Sequence, residues 1–496
     1  MLTRRHFCKS LVALGLTTTI HTLPSGMGWA TARSRAIRPF APALVRNLGM
    51  LRPYWNSLPT AASPEMCLTR MAHEGLAIRL LTRPTELLHT VYAQRLTREL
   101  EAIQSRGLAS ILLFVTEITG YALALNIPVG SGSGECAGSL VLYALGVTDL
   151  DPLVHGLVFE RFIRHDGSRD ISLPVASNGW EKVEAYAVDR ARGLGLEVAR
   201  EQGFLEDLTI VVLNPLQASE PSGVSLRTIE LEVRALAEIS LLNQTLRHIV
   251  GQQGACAGRQ GAPACLDLSR IPLDDSMTYA LLFSDRGPGV CMLTGDGKGT
   301  VERIVRYQPE AWEGAQIAEL FRPVGFTDWV ILKYLSLEDL RQRRILPDFL
   351  RAKRGIRRPS WNLPQVRQLL RDTYGEIVFC EQVLLLGRHV AGMSFEEAMA
   401  LRRALFIGKS DEVEVMKQKG RFLSGACAHG FPPSESEDLF EHLVSRTACT
   451  RSKASAVGPA LQTYWAGYLK AHYPLEFATA LKCIQDREPR RLTWLA

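Results

Sequence analysis

The sequence predicts a first half that mixes helices with β-structure and a second half that is mainly α-helical. The β-branched run at residues 209–213 is typical of a strand. Apolar residues recur at helical spacing from Cys67, and the apolar run at residues 111–125 fits either a buried strand or a helix. From Ile271 onward the helical period dominates.

Further helices follow from the spacing of the apolar residues. In the first half we expect them at residues 181–192 and 226–248. In the second half the pattern predicts helices at residues 336–345, 366–373, 378–391, 395–406, 436–444 and 461–471.

Residues 126–152 contain a glycine-rich turn that leads into a helical pattern. Glycine allows the backbone to pass close to a ligand and to point its N–H groups inward. A helix that follows presents its positive N-terminal end to an anion. The pattern is typical of a phosphate cradle, and equally of a tight connection between a strand and a helix.

Composition sets wide limits on function. The 496 residues are 46% hydrophobic and 22% charged, as in globular proteins, and the length predicts two to four packed units. A net charge of +6 favours a polyanionic partner only weakly. The ten cysteines form no CxxC pair, so free thiols in a reducing compartment are expected rather than a zinc site.

The N-terminal residues 1–30 carry Arg4-Arg5 before a short apolar run. They resemble a twin-arginine export signal, and an unstructured leader is the alternative. The apolar run is too short to span a membrane. Residues 31–66 are rich in Pro, Arg and Ala and are predicted to be a linker.

Residues 341–358 hold eight arginine and lysine side chains against the single acidic residue Asp348. Such a run is typical of a solvated face. With Trp361 nearby, it also fits a track for a phosphate backbone.

From residues 95–100 through Phe162 the chain resembles the bacterial DNA polymerase III alpha subunit family, the C-family DNA polymerases, and residues 126–152 and 158–163 follow the family pattern almost throughout. The likeness is carried by Ile-Pro-Val-Gly-Ser-Gly-Ser-Gly at residues 127–134 and by Phe-Glu-Arg-Phe at residues 159–162. It covers roughly residues 67–485 and continues in order at residues 271–275, 321–323, 348–355, 373–383, 401–404 and 468–477.

This resemblance implies a truncated and divergent polymerase relative with palm and fingers only. It implies an α/β palm, built on a nucleotidyltransferase-like mixed sheet, at residues 67–270. It also implies a mainly α-helical fingers domain at residues 271–485, with residues 486–496 as a tail. The interval between Pro174 and about Val212 is much shorter than in the family, so the thumb is expected to be deleted.

The metal-binding carboxylates of the family are absent from the matching positions. The family has Pro-Asp-x-Asp-x-Asp where this chain has Val175, Ser177 and Gly179 after Pro174. Magnesium requires carboxylate oxygens, so the resemblance implies no retained catalytic residue and no metal ligand. The counterpart of a third family aspartate, at residues 209–216, contains no aspartate either.

Other family positions imply contacts to a nucleotide or to DNA. The family's Gly-Arg-Gly-Ser becomes Gly132-Ser133-Gly134-Glu135, so an arginine is lost and a carboxylate is expected to repel a phosphate. The nucleotide-binding loop is predicted to consist of Gly130, Gly132, Ser133, Gly134, Gly138 and Ser139. The predicted DNA or phosphate contacts are Arg322, Arg351, Lys353, Arg354, Arg402, Arg403 and Lys453.

Three functions remain open from the sequence. The first is a catalytically inactive cytoplasmic relative of the polymerase, without a cofactor or a membrane span, that binds DNA or a replication or repair protein. The second is an active DNA-directed DNA polymerase that uses Mg²⁺ with relocated carboxylates. The third is an exported protein on a reused fold. The candidate relocated carboxylates are Asp149, Asp151, Glu160, Asp166, Asp170 and Asp207.

Overall fold

A computed structural model describes residues 63–80, 86–125, 127–130, 132, 134–163, 171–176, 179–194, 196–202, 208–213, 228–234, 241–249, 268, 271–283, 325–335, 345–356, 361–407, 411–448 and 450–487. The predicted leader, nearly all of the predicted linker and the end of the predicted tail lie outside these residues. So does most of the helix predicted at residues 336–345.

The first half is mostly helical, with one small sheet. It contains α1 (Pro64–Leu80), α2 (Glu86–Gln104), α3 (Ala109–Ala124), a 3-10 turn (Gly134–Gly138), α4 (Leu140–Ala144), α5 (Phe159–Ile163), β1 (Ile171–Ala176), α6 (Trp180–Gly193), β2 (Glu197–Gln202), β3 (Leu208–Leu213) and β4 (Thr228–Arg234). The apolar run at residues 111–125 is therefore a helix, and most of α3 is buried.

The four strands form a mixed sheet in the order β1-β4-β3-β2. Strand β1 pairs with β4 in parallel, in the register Val175 to Val233. The β2–β3 and β3–β4 pairs are antiparallel. Because β1 and β4 run parallel, the chain crosses over the sheet between them, and it does so through α6, β2 and β3.

The prediction of one helix over residues 226–248 is wrong for its first part, which forms β4. Ile229, Leu231 and Val233 alternate with charged or polar residues, which is the two-residue period of a strand. Residues 241–249 are helical, as predicted. The strand predicted at residues 209–213 and the helix predicted at residues 181–192 are confirmed by β3 and α6.

In the second half every element that the structure describes is helical. It contains α7 (Ser276–Phe283), α8 (Phe326–Leu335), α9 (Ile345–Lys353), α10 (Pro364–Leu369), a 3-10 turn (Arg371–Thr373), α11 (Cys380–Ala391), α12 (Phe395–Ile407), α13 (Glu412–Ala428), α14 (Pro433–Thr447), α15 (Lys453–His472) and α16 (Pro474–Arg487). Helices α10, α11, α12, α14 and α15 confirm the predicted helical positions, with shifted ends.

Local residues explain where two of these helices begin or end. Helix α11 ends at Gly392, whose φ of 62° is a left-handed conformation that glycine adopts without strain. Helix α13 begins after Asp411, whose carboxylate accepts a hydrogen bond from the Glu414 N–H at 3.1 Å. Such caps satisfy backbone N–H groups that have no partner inside the helix.

Three clusters of buried apolar side chains hold the described elements together. The first joins α1 to α6 and β1, and the third joins α10 to α14. The second is built around α15 and also contains Ala137, Leu150 and Leu157 from the first half. The glycine-rich segment therefore packs into the core of the helical half.

Within the described part of the chain, no helix taken singly has the length and apolar composition needed to cross a membrane. Among the described helices, α2 and α3 reach that length and apolar composition only when taken together, and the chain bends by 114° between them. Helix α3 lies in the first core cluster, which accounts for its apolar composition.

Candidate functional site

The glycine-rich turn begins beside β1, the strand that carries Val175, one of the three positions that the resemblance aligns with the family's metal-binding aspartates. The Gly130 N–H donates to the Pro174 carbonyl oxygen at 2.8 Å, and the Ala176 N–H donates to the Pro128 carbonyl oxygen at 2.9 Å. Val129 and Val175 form an isolated antiparallel bridge. The structure thus brings together two parts of the site that are separated in sequence.

Apolar packing fills the two described positions, 175 and 179, that the resemblance aligns with the family's metal-binding aspartates. Val175 is 0% exposed and belongs to the first core cluster. A Cβ at Gly179 would lie 2.4 Å from the Cδ1 of Ile127, so the room for a side chain at that position is already occupied. Ser177, between them, lies outside the described residues.

Three of the carboxylates proposed as relocated metal ligands lie in the described part of the chain, and each is paired with a different side chain. Asp149 pairs with an arginine of α1 at 3.7 Å, Asp151 accepts from the Tyr92 hydroxyl at 2.6 Å, and Glu160 lies 3.6 Å from an arginine of α2. In the part of the chain that the structure describes, no group of three or more His, Cys, Asp or Glu side chains is placed to hold a metal ion. Asp166, Asp170 and Asp207 lie outside that part.

Two glycines of the loop have conformations that disfavour other residues. Gly132 has a φ of 103°, and a Cβ there would lie 2.7 Å from the Cβ of Thr148. Gly134 has a φ of 68° and open space around the position of a Cβ. Ser133, between them, lies outside the described residues. At Gly138 a Cβ would lie 2.7 Å from the Val158 carbonyl oxygen, so this glycine is required for packing.

The helix after the turn does not offer its N-terminal end to a ligand. Helix α4 has only five residues, and a carboxylate of the chain already occupies its N-terminus. Glu99, which is fully buried, accepts hydrogen bonds from the Val141 N–H at 3.2 Å and the Ser139 hydroxyl at 3.1 Å. The expectation that this helix end binds a phosphate is therefore wrong for the described structure.

Ser139 has a structural role in this arrangement. It is 0% exposed, and its hydroxyl oxygen caps α4 by accepting from the Leu142 N–H at 3.3 Å. Arg95 pairs with Glu99 at 2.5 Å and donates to the Gly138 carbonyl oxygen at 3.1 Å. Burial raises the pKa of Glu99, and the contacts with Arg95, Val141 and Ser139 oppose that rise. The nucleotide-binding role of Ser139 stays a prediction that this geometry does not favour.

Glu135 is paired, which corrects the expectation that its charge faces an incoming phosphate. The Arg161 guanidinium donates through Nε to Glu135 Oε2 at 2.6 Å, and through Nη2 to the other carboxylate oxygen. Both side chains are largely buried, at 9% and 12% exposed. A neutralised, buried ion pair presents little net charge to the loop.

Glu381, in α11, links this pair to the start of α15. It lies 4.0 Å from Arg161 Nε and accepts from the Lys453 backbone N–H at 2.8 Å and the Ser452 hydroxyl at 2.9 Å. Its carboxylate thus sits at the positive end of a twenty-residue helix. The Lys453 ammonium lies 5.8 Å from the centre of the Phe379 ring, and burial lowers the pKa of this lysine.

Lys353 is held in an ion pair, so its role as a phosphate contact stays a prediction that this geometry does not favour. Its ammonium group donates to Asp328 Oδ2 at 2.7 Å, and the side chains are only 7% and 4% exposed. The Tyr374 hydroxyl also donates to this carboxylate, at 3.1 Å. Burial lowers the pKa of Lys353, and the contact with Asp328 opposes that change.

The other predicted basic contacts have different surroundings. Arg354 is exposed, and Arg351 has a 44% exposed side chain that lies 3.4 Å from Asp348. Arg403 is exposed, whereas Arg402 is half-buried, with its guanidinium 5.7 Å from the Phe406 ring centre. Arg322 lies outside the described residues.

Three residues of this site were missed by the sequence prediction: Glu99, Arg161 and Glu381. All three occur in segments that carry the resemblance, but apart from the Arg95–Glu99 pair the partners described above lie 26 or more positions away in the sequence. The one local signal is the four-residue spacing of Arg95 and Glu99, which suits an ion pair on one helix face.

Comparison with known proteins gives matches along both halves. The bacterial DNA polymerase III alpha NTPase domain matches residues 66–190, and the bacterial DNA polymerase III alpha subunit finger domain matches residues 245–430. Among curated relatives, the DNA polymerase III subunit alpha of Mycobacterium tuberculosis (strain CDC 1551 / Oshkosh) is 27% identical, over 82% of this chain and 41% of its own length.

Similar matches come from two other bacteria. The DNA polymerase III subunit alpha of Aquifex aeolicus is 25% identical, over 85% of this chain and 44% of its own length. That of Xylella fastidiosa (strain Temecula1 / ATCC 700964) is 25% identical, over 85% of this chain and 42% of its own length. The chain thus spans about two fifths of the length of these curated relatives. With both domain models matched in order, the chain belongs to the bacterial DNA polymerase III alpha subunit family.

Proposed function

We propose that this chain is a polymerase III alpha-like protein of the cytoplasm that acts in DNA replication or repair without nucleotidyl transfer. Its part would be to bind DNA or a replication protein. The observation that carries the proposal is the apolar filling of the family metal positions, with Val175 in the core and Ile127 against Gly179.

The described residues at these positions do not fit Mg²⁺. The ion takes oxygen ligands, chiefly carboxylates, and neither a valine nor a glycine side chain supplies one. We propose that the four-stranded sheet is the counterpart of the family palm, because β1 carries position 175 beside the glycine turn.

The first test is primer extension. The purified full chain is expected to add no nucleotide to a primed DNA template with Mg²⁺ or Mn²⁺, because two-metal transfer needs carboxylates to hold the ions. Denaturing gel electrophoresis with single-nucleotide resolution gives the readout. A DNA polymerase III alpha subunit with intact family aspartates serves as the positive control.

An active enzyme with relocated carboxylates would give a different result. Template-dependent extension that disappears in Asp149→Asn, Asp151→Asn or Glu160→Gln would overturn the proposal. Extension that survives all three changes would call for the same test at Asp166, Asp170 and Asp207.

Binding of DNA is tested separately through Arg351 and Arg354, both exposed near the end of α9. If they contact phosphates, log K falls linearly with log salt, and each contact adds about 0.9 to the slope. The double variant Arg351→Ala/Arg354→Ala is then expected to lower the slope by up to about 1.8. Fluorescence anisotropy with a labelled primer–template duplex across a salt series measures it.

The matched control is Arg371→Ala, because Arg371 is a highly exposed arginine with an adjacent Asp372. Its slope should equal that of the unchanged chain. Equal slopes for the double variant and the unchanged chain would make α9 an ordinary solvated surface and remove it as a DNA contact.

A further inference from the structure

We propose that Arg161 links the glycine loop of the first half to the finger helices. This link keeps the two halves in contact when no ligand is bound. We call Glu135, Arg161, Cys380 and Glu381 the Arg161 lock. Its members come from the 3-10 turn, from α5 and from α11.

On the loop side, Arg161 holds Glu135 with two hydrogen bonds from one guanidinium. Paired N–H groups aimed at both oxygens of a carboxylate fix its orientation as well as its position. Glu135 begins the first turn of the 3-10 segment, whose Ala137 belongs to the core cluster of the helical half. The lock therefore acts on the part of the loop that already lies against the fingers.

On the finger side, the same guanidinium donates through Nη1 to Cys380 Sγ at 2.7 Å and lies 4.0 Å from Glu381. Burial raises the pKa of the Cys380 thiol, so this sulfur is neutral and the charge partners are the two carboxylates. Glu381 in turn holds the start of α15 through the Lys453 N–H and the Ser452 hydroxyl.

Helix α15 also contacts the glycine loop directly. A Cβ at Gly458 would lie only 2.7 Å from the Gly132 carbonyl oxygen, so the helix and the loop backbone are in close contact. The lock contacts the N-terminus of α15, and Gly458 lies one to two turns further along the same helix.

The arrangement of charges makes separation of the two halves energetically unfavourable. One guanidinium serves two carboxylates from different halves, and the helix end at Lys453 supplies further compensation to Glu381. Separating the halves would take the guanidinium away from Glu381 and leave its charge with only the Lys453 N–H and the Ser452 hydroxyl, and removing one partner of a buried charge is unfavourable. The closed state therefore needs no ligand to maintain it. The lock is independent of the proposed loss of nucleotidyl transfer, because none of its members is a family metal position.

Hydrogen–deuterium exchange on the full chain tests the lock with Glu381→Gln, which keeps the shape of the side chain and removes the charge that faces Arg161 from the other half. Backbone amides in residues 134–145 and in residues 453–460 should both exchange faster, by roughly tenfold or more, because they share one opening event. A rise confined to residues 453–460, or no rise in either segment, would overturn the proposal.

Asp328→Asn is the matched control, since it neutralises a carboxylate of a buried ion pair that lies within the fingers alone. It is expected to speed exchange in α8 and α9 and to leave residues 134–145 unchanged. Calorimetry of Arg161→Met adds a second readout: one shared unfolding transition should separate into two if the lock couples the halves. A single transition in this folded variant would contradict the coupling.

Discussion

Replacing Glu99 with alanine is expected to destabilise the chain by about 3–5 kcal/mol, the range for breaking a buried ion pair by removing one partner. Glu99 is fully buried and holds Arg95, the Ser139 hydroxyl and the Val141 N–H at once. Without it, the largely buried Arg95 guanidinium keeps only backbone carbonyl acceptors, and the N-terminus of α4 loses its carboxylate. Urea unfolding followed by far-UV circular dichroism measures the change.

Two variants sharpen this test. Glu99→Gln keeps the side-chain shape and a carbonyl acceptor, so its loss should be clearly smaller. Glu117→Ala is the matched control, because Glu117 pairs with Arg190 in a partly exposed position. Exposed pairs are worth about 0–1 kcal/mol, so a loss at Glu99 no larger than at Glu117 would show that the buried cap is unimportant.

The variant Val175→Asp, which introduces the aspartate that the resemblance places at this position in the family, is expected to destabilise the chain by about 3–5 kcal/mol at neutral pH, since an unpaired charge would enter an apolar core. Val175 is 0% exposed and is bridged to Val129. Burial raises the pKa of a carboxyl group, so the folded state binds a proton more readily than the unfolded state. The loss should therefore shrink as the pH falls and grow as it rises. Urea unfolding at several pH values gives both readouts.

Val175→Thr is the control, because it adds a hydroxyl without a charge and leaves the volume nearly unchanged. It should cost about 1–3 kcal/mol, with no dependence on pH. An aspartate that costs less than the threonine would mean that position 175 opens to water or to a cation, and would weaken the proposed loss of metal binding.

Much of the helical half could be predicted from the sequence, since its periodic apolar residues specify α10 to α12, α14 and α15. Helix α13 is not predicted because the apolar residues Val413 and Met416 are exposed among charged residues, which weakens the helical period of the apolar side chains. Strand β4 was assigned to a helix because its alternating Ile229, Leu231 and Val233 were joined to the helical residues that follow.

At the site, the loss of carboxylates at Val175 and Gly179 is predicted by the resemblance alone. The resemblance could not reveal what fills the space, because the contact of Ile127 with Gly179 joins residues 52 positions apart. For the same reason the sequence did not show that Glu135 and Lys353 are paired. Their partners, Arg161 and Asp328, are distant in the sequence and approach them only in the folded chain.

The contact between Ile127 and Gly179 also bears on whether the family chemistry could return by mutation. A Cβ at position 179 would lie 2.4 Å from the Cδ1 of Ile127, and an aspartate at position 175 would place a charge in the core. We therefore expect a side chain at position 179 to need a smaller residue 127, and an aspartate at position 175 to lower stability whichever residue stands at 127. Regaining carboxylates at both positions would require several substitutions, so single mutations are not expected to restore a metal site.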